Sequence, residues 1–203
     1  WTWEHMALTR ARVIAGPPPL RRRARAAIRA ALARPREAEK VRADAAGLRR
    51  RIARELPPFS EWDVKYRAGG LLEGEFVCQV LQLIHAADYP HVLATSTAEA
   101  LARLAAVGAL DAAEAAELSA AMRLFRAVQG VLRLTVGKPR AEADIPGPVA
   151  EALCRAAAAS GASDAVDLRG LAAQMREAAK RIRAAFNRRV ADLGPIVEDA
   201  IAT

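Results

Sequence analysis

The chain has few aromatic side chains and few chemically reactive ones. Aromatic residues make up 4% of its 203 residues, and it contains two cysteines and three histidines. With so few aromatics, a core must be built from Leu, Val, Ile and Ala, and the abundance of alanine favours helix over sheet. Two isolated cysteines predict no disulfide framework and fit a reducing, cytoplasmic environment. The composition therefore predicts an all-α fold.

Sequence motifs of common catalytic and metal sites are also missing. The histidines, one at His5 and two in the stretch HAADYPH, have no second ligand at the spacing of a zinc site. There is no Walker or GxGxxG loop, and no Asp-x-Asp pair that could hold two metal ions for nucleotidyl transfer. No apolar run reaches the roughly 20 residues of a membrane span. We therefore expect no catalytic residue, no metal site and no membrane association within this chain.

Positive charge is concentrated in one part of the chain. Residues 20–54 contain 13 Lys/Arg and 3 Asp/Glu, a net charge of +10, whereas all other residues contain 18 and 20, a net of −2. Such a stripe can attract nucleic acid or an acidic protein surface. It can equally be a solvated helix face, and no aromatic residues alternate with the arginines as in single-strand binders. A non-catalytic binding module is therefore an alternative function, although nucleic acid is not the partner we expect.

Apolar residues recur at helical spacing along most of the chain. The pattern predicts a helical bundle of roughly eight helices, the first over residues 1–15, with at most one short extended segment near residues 63–66. The helix predicted from Leu71 to Ala87 is apolar on nearly all sides, so we expect it at the centre of the fold.

Short motifs predict where some of these helices begin. Residues 96–99 have the pattern of a capping box, and Asp111 is placed to cap the next helix. We expect one helical domain over residues 1–203, with a connector and short helix at 137–167 and the C-terminal helix at 168–203.

One stretch, WDVKYRAGGLLEGEFVCQVLQL at residues 62–83, has features of a ligand site. Gly69 and Gly70 precede a helix start, where free N–H groups and the positive dipole end favour an anion. Lys65 adds positive charge nearby. Glu75 and Gln79 share one face of an otherwise apolar helix, where polar groups need partners or a cleft.

The same stretch can also be a simple turn between two packed helices. In that interpretation the two glycines only permit the turn, and Glu75 pairs inside the bundle with Arg10 or Arg12. The residue pattern alone leaves both interpretations open.

These residues resemble a known family, the glutamine synthetase adenylyltransferases, bifunctional enzymes that add AMP to glutamine synthetase and remove it. The family pattern D-[IV]-K-x-x-x-G-G-[LI]-x-[DE]-x-E-F-x-x-Q is met by Asp63, Val64, Lys65, Gly69, Gly70, Leu71, Glu73, Glu75, Phe76 and Gln79. A second pattern, W-T-W-E-H-x-A-L-x-R-A-R-V, is met over residues 1–13. The resemblance is clear over residues 1–136 and looser beyond them.

The resemblance implies that the chain is a fragment of a larger enzyme, the helical domain that follows the C-terminal nucleotidyltransferase domain. That domain would hold ATP and Mg²⁺, so this fragment would hold neither and would be inactive alone. The whole enzyme would transfer AMP from ATP to a tyrosine of glutamine synthetase, under control of the PII signal protein and glutamine.

The resemblance also implies a set of site residues. Those expected near the nucleotide, or at the interface with the chain's own nucleotidyltransferase domain, are Lys65, Gly69, Gly70, Glu73, Glu75 and Gln79, with Arg10 and Arg12 as partners. Glu73 is also a feature of the adenylyl-removing half, which makes that half an alternative, whereas the WTWEH opening favours the transferase half.

Overall fold

Helices provide all the regular structure in the computed structural model of this protein, which describes residues 1–191. The α-helices, in chain order, are α1 (Thr2–Leu8), α2 (Pro18–Leu32), α3 (Ala38–Glu55), α4 (Leu71–His85), α5 (Thr97–Ala106), α6 (Ala112–Leu134), α7 (Gly147–Ala159) and α8 (Leu168–Arg189). Single 3₁₀ turns occur at Pro90–Val92 and Glu142–Asp144. The prediction of an all-α fold with roughly eight helices is confirmed over these residues.

Helix α4 is the central element of the bundle. It contacts α1, α3, α5, α6 and α8, and its buried residues include Leu71, Phe76, Val77, Val80 and Leu83. An apolar side chain on every face of the helix gives each neighbour a surface to pack against. The central position predicted for this helix is therefore confirmed.

The first helix is shorter than predicted, and the stretch at 63–66 has no extended segment. Helix α1 ends at Leu8 rather than near residue 15, and the Thr9 hydroxyl at its C-terminus donates to the Met6 carbonyl oxygen at 2.7 Å. Residues 63–66 form turns, which agrees with the prediction of at most one short extended segment there. The Asp63 carboxylate organises these turns by accepting hydrogen bonds from the Lys65 and Tyr66 amides at 3.3 and 3.0 Å.

The two predicted helix caps have different outcomes. Asp111 caps α6, since its side chain accepts from the amides of Ala113 and Glu114 at 2.8 and 3.1 Å. Ser96 precedes α5 but makes no side-chain capping bond, so the capping box is wrong. Its acidic partner, Glu99, accepts a hydrogen bond from Arg103 instead of reaching back to the helix start.

Helix α8 ends at Arg189, and the predicted C-terminal helical range of 168–203 extends past the described residues from position 192 onward. Near its end, Arg188 and Arg189 donate to Glu114 at 2.8 and 2.7 Å, which joins the last turn of α8 to the first turn of α6. Burial opposes ionisation of Glu114, but the two arginines lower the pKa of this carboxyl. No helix within residues 1–191 is both long and apolar enough to cross a membrane.

Candidate functional site

Glu73 is the centre of a buried ion-pair cluster that joins three helices. Its side chain is 0% exposed, and Oε1 accepts from Arg49 Nε of α3 at 2.9 Å and from Arg183 Nη1 of α8 at 2.8 Å. Its other oxygen, Oε2, accepts from the Gly69 amide at 2.9 Å. A buried carboxylate is tolerated only when it is paired and hydrogen-bonded, and both oxygens here are. Glu73, Arg49, Arg183 and Gly69 form what we call the Glu73 cluster.

Each of the two adjacent glycines is required by a separate close approach. Gly69 has φ +70°, and a Cβ there would lie 2.6 Å from the carbonyl carbon of Ala179 in α8 and nearer still to its oxygen. Gly70 has ordinary φ, but its Cβ would lie 2.8 to 2.9 Å from the carbonyl oxygens of Val64, Lys65 and Arg67. The backbone of the turn is therefore packed against α8 on one side and against itself on the other.

The amides at the start of α4 are occupied within the chain. The Leu71 amide donates to the Val64 carbonyl oxygen at 2.8 Å and the Leu72 amide to that of Lys65 at 3.2 Å. Because the 63–70 turn folds back over the helix start, its carbonyls satisfy the donors that a helix end normally leaves free. The expectation that these N–H groups are free to bind an anion is therefore wrong.

Glu75 lies on the outer side of α4 and belongs to a second, exposed cluster. Its carboxylate accepts from Arg10 Nη1 at 2.8 Å and lies 3.8 Å from Arg126 Nη2 of α6. Arg126 also donates to the Thr97 hydroxyl at 3.0 Å. The side chains of Glu75, Arg126 and Arg10 are 25%, 38% and 46% exposed, so they meet solvent while paired. These three residues with Gln79 beside them are called the Glu75 cluster below.

The other predicted polar positions are divided between the surface and the interior. Gln79 is half-buried beside Glu75 and Arg10, at a small crevice between α4 and the segment before α5. Arg12 makes no ion pair with Glu75, so of the two predicted arginine partners only Arg10 contacts it. Arg12 instead lines a groove of about 910 Å³ along α2, together with Arg22 and Arg25.

Cys78 and Gln82, one and two turns after Glu75, are buried and interact with each other. Gln82 Nε2 donates to Cys78 Sγ at 3.5 Å, and Gln82 Oε1 accepts from the Ala94 amide at 2.9 Å. Burial raises the pKa of the Cys78 thiol to about 12. A thiol that stays protonated at neutral pH is a poor nucleophile.

Lys65 is exposed and lies over an aromatic ring. Its Nζ is 4.7 Å from the centre of the Tyr66 ring, at the edge of a pocket of about 480 Å³ between residues 55–66 and the C-terminal part of α6. Arg126, Gln129 and Arg133 share one face of α6 by their i, i+3 and i+7 spacing. This face connects the Glu75 cluster with the pocket beside Lys65, since Arg126 pairs with Glu75 and the other two line the pocket.

Three arginines in these clusters, Arg49, Arg126 and Arg183, were not predicted from the sequence. A signal existed for Arg49 and Arg183, because each falls on the apolar face of its helix, where an arginine is rare unless paired. Over the described part of the chain, no group of three or more His, Cys, Asp or Glu side chains converges as a metal site would require.

Comparison with known proteins gives a consistent set of relatives. The family model described as GlnD PII-uridylyltransferase matches residues 34–190. A protein of Rhodopseudomonas palustris strain TIE-1, named bifunctional glutamine synthetase adenylyltransferase/adenylyl-removing enzyme, is 42% identical over 188 residues, which is 93% of this chain and 18% of the relative. Proteins of the same name from Bradyrhizobium sp. strain BTAi1 and Xanthobacter autotrophicus are 41% and 36% identical over 92% and 93% of this chain. The chain thus spans about 18% of the length of these curated relatives.

Proposed function

This chain belongs to the GlnD PII-uridylyltransferase family, and from that premise we propose that it is the helical domain of a glutamine synthetase adenylyltransferase. The observation that carries the proposal is the 42% identity, over 93% of the chain, to an enzyme of that name. The resemblance seen in the two sequence motifs is confirmed by these relatives.

In this proposal the whole enzyme transfers AMP from ATP to a tyrosine of glutamine synthetase and releases pyrophosphate. A separate nucleotidyltransferase domain holds ATP and Mg²⁺, whose ions activate the attacking oxygen and stabilise the leaving phosphates. Glutamine synthetase and the PII signal protein are its partners, and the enzyme acts in the cytoplasm. The helical domain supports this reaction without contributing a catalytic residue.

The exposed face at the Glu75 cluster is the surface we assign to contact with the nucleotidyltransferase domain. Arg10 belongs to the first sequence motif and Glu75 to the second, and their 2.8 Å ion pair joins the two motifs across 65 residues of chain. An exposed pair of this kind adds little to folding stability. Its groups keep hydrogen-bonding capacity toward another domain, and Gln79 lines the same small crevice as Arg10 and Glu75.

Gly69, Gly70 and Glu73 have an indirect role in this interface. They hold the start of α4 in place through contacts with α8, with α3 and with the turn at 63–67. This turn therefore fixes the position of Lys65 relative to Glu75. Precise support of this kind is what an interface near a catalytic centre requires.

The test is substitution of the Glu75 cluster in the full-length enzyme. Glu75→Gln and Arg10→Ala should each lower AMP transfer to glutamine synthetase by at least about tenfold, equivalent to ~1.4 kcal/mol. The control is Arg51→Ala, which removes an arginine from an exposed ion pair with Glu55 on α3. Transfer should be unchanged in the control, and all variants should keep the helical circular dichroism of the parent. Unchanged transfer in both Glu75→Gln and Arg10→Ala would remove this interface from the proposal.

The same variants distinguish the two halves of a bifunctional enzyme. AMP addition and AMP removal are measured separately with unmodified and adenylylated glutamine synthetase. The proposal expects loss of addition with removal intact. The reverse result would assign the chain to the adenylyl-removing half, which is the alternative left open by Glu73.

A second candidate function is a non-catalytic module that binds an acidic protein surface or nucleic acid through residues 20–54. It is favoured by Arg22, Arg25 and Arg29, which line the groove along α2 and have no carboxylate partner within residues 1–191. Titration with DNA at two salt concentrations tests the nucleic-acid form, since several phosphate contacts make affinity fall steeply with salt. Absence of salt-dependent binding would leave only the protein-binding form.

A further inference from the structure

The pocket beside Lys65 has the dimensions and the composition of a small-molecule site. It has a volume of about 480 Å³ and lies between residues 55–66, the C-terminal part of α6 and residues 137–138. Small-molecule sites in proteins typically measure roughly 300 to 1,000 Å³. Its lining includes three aromatic residues, Phe59, Trp62 and Tyr66, out of a total aromatic content of only 4%. We call it the Lys65 pocket.

Three cations line this pocket, and none has an acidic partner in the described chain. They are Lys65, Arg133 and Lys138. Lys65 Nζ lies 4.7 Å from the Tyr66 ring centre, and Lys138 Nζ lies 5.8 Å from the Phe59 ring centre. Cation–π contacts orient both ammonium groups without neutralising them.

The lining contains two acidic residues, and both accept hydrogen bonds from other groups of the chain. Glu55 accepts from Arg51 Nε at 2.8 Å, one turn earlier on α3. Asp63 accepts from the backbone amides of Lys65 and Tyr66. The lining therefore presents more uncompensated positive charge than negative charge to a ligand.

Trp62 adds a hydrogen-bond donor without an acceptor. Its side chain is 1% exposed and lines the pocket, and its indole Nε1 has no hydrogen-bond partner among residues 1–191. A buried donor is costly to leave unpaired. The indole N–H is enclosed by protein atoms, so the three cations are the groups that a ligand in the pocket can contact directly.

We propose that the Lys65 pocket binds a small molecule through a phosphoryl group with a charge of −2 or more. Several lysine and arginine side chains lining one pocket match the charge and the several acceptor oxygens of a phosphoryl group better than they match a single carboxylate. This is a site on the helical domain itself, separate from the ATP that the proposed function places in another domain. The phosphoryl group can belong to inorganic phosphate, to pyrophosphate or to a nucleotide.

The chain contains a convenient reporter for this site. Trp1 and Trp3 are 83% and 53% exposed, so Trp1→Phe with Trp3→Phe leaves Trp62 as the sole tryptophan at little structural cost. The fluorescence of Trp62 is followed while this variant of the 203-residue chain is titrated with phosphate, pyrophosphate and magnesium-free ATP, each at constant ionic strength. We expect saturable binding of pyrophosphate, with an affinity at least about tenfold above that of phosphate because more charge is neutralised.

The sources of the phosphoryl group are distinguished by their dissociation constants. Equal constants for pyrophosphate and ATP would identify the phosphoryl groups as the recognised part. Tighter binding of ATP would identify a nucleotide as the source. Citrate, a multivalent carboxylate of similar charge, should bind at least about tenfold more weakly than pyrophosphate, since a phosphoryl group offers more charged acceptor oxygens on one atom than a carboxylate does.

A matched pair of charge variants tests whether the pocket itself is responsible. Lys65→Ala with Lys138→Ala should raise the Kd for pyrophosphate at least about tenfold, or ~1.4 kcal/mol. Arg22→Ala with Arg25→Ala removes the same charge from the exposed face of α2 and should leave the Kd within about twofold.

Two results would overturn the proposal: no saturation below about 10 mM with any phosphate compound, or equal weakening by both pairs of substitutions. Circular dichroism verifies that each variant keeps its helical content. The measurement needs no glutamine synthetase and no AMP transfer, so its failure would leave the proposed enzymatic function untouched.

Discussion

Glu73 and Glu75 lie two residues apart in α4, yet their environments have little in common. Glu73 is fully buried and pairs with Arg49 of α3 and Arg183 of α8, whereas Glu75 is 25% exposed and pairs with Arg10 and Arg126. Residues two apart in a helix point to different sides, so one glutamate faces the interior and the other the surface. The difference shows that carboxylates of one motif can have separate environments: Glu73 is paired inside the bundle, and Glu75 remains partly accessible to solvent.

The largest expected effect comes from neutralising the buried carboxylate. Glu73→Gln removes the charge that compensates Arg49 and Arg183, and loss of one partner of a buried ion pair typically costs about 3–5 kcal/mol. Glu75→Gln is the matched control, because an exposed pair contributes about 0–1 kcal/mol. Free energies of unfolding from urea denaturation, measured for both variants and the parent, test this contrast. Equal losses in the two variants would show that the two clusters do not differ in their structural role.

A second comparison is between two glycines, Gly69 and Gly108, that have nearly the same left-handed backbone conformation. Gly69 and Gly108 have φ of +70° and +73°, but a Cβ on Gly69 meets the backbone of Ala179, whereas a Cβ on Gly108 has no atom within 4 Å. Gly108→Ala should cost only the left-handed backbone penalty of about 1–2 kcal/mol. Gly69→Ala should cost about 1–3 kcal/mol more, because α8 must shift to make room.

Thermal or urea unfolding of both alanine variants measures this difference directly. A Gly69→Ala variant no less stable than Gly108→Ala would mean that α8 yields easily at Ala179. The packing would then not be the reason for glycine at position 69.

The third comparison is pH-dependent and concerns Cys78, which lies one turn after Glu75 and is buried in the core. Because burial raises the pKa of this thiol to about 12, while an unfolded thiol titrates near ~8.5, the folded chain keeps a proton that the unfolded chain loses. This contribution to stability is complete below the unfolded pKa and is lost as pH rises toward the folded pKa.

The pH range from about 9 to about 11 lies between the unfolded and folded pKa values of this thiol. Over that range, the free energy of unfolding should fall less steeply in Cys78→Ala than in the parent. Urea denaturation at these two pH values provides the measurement, and Cys154→Ala is measured beside it because burial raises the pKa of that thiol as well. Parallel stability losses in the parent and Cys78→Ala would show that the thiol titrates normally in the folded chain.

Several features of the protein follow from sequence alone because they are local. Helical periodicity predicts the α-helices and the central position of α4, and Asp111 is recognisable as a cap because its amide partners are two and three residues away. The two motifs, at residues 1–13 and 63–79, indicate the family by their residue patterns alone. Local signals are misleading where a competing partner intervenes, as when Arg103 binds Glu99 and the capping box is not formed.

The roles of the polar residues are decided by contacts between distant parts of the chain. The sequence shows that Glu73 and Glu75 need partners, but Arg183 lies 110 residues from Glu73 and Arg10 lies 65 residues from Glu75. The same is true of Gly69, whose requirement for glycine comes from Ala179 on α8. Helical spacing shows which residues share a face, because it depends on the backbone of a single segment. Which helix covers that face depends on how the segments pack in three dimensions, so only the tertiary structure separates the buried Glu73 cluster from the exposed Glu75 cluster.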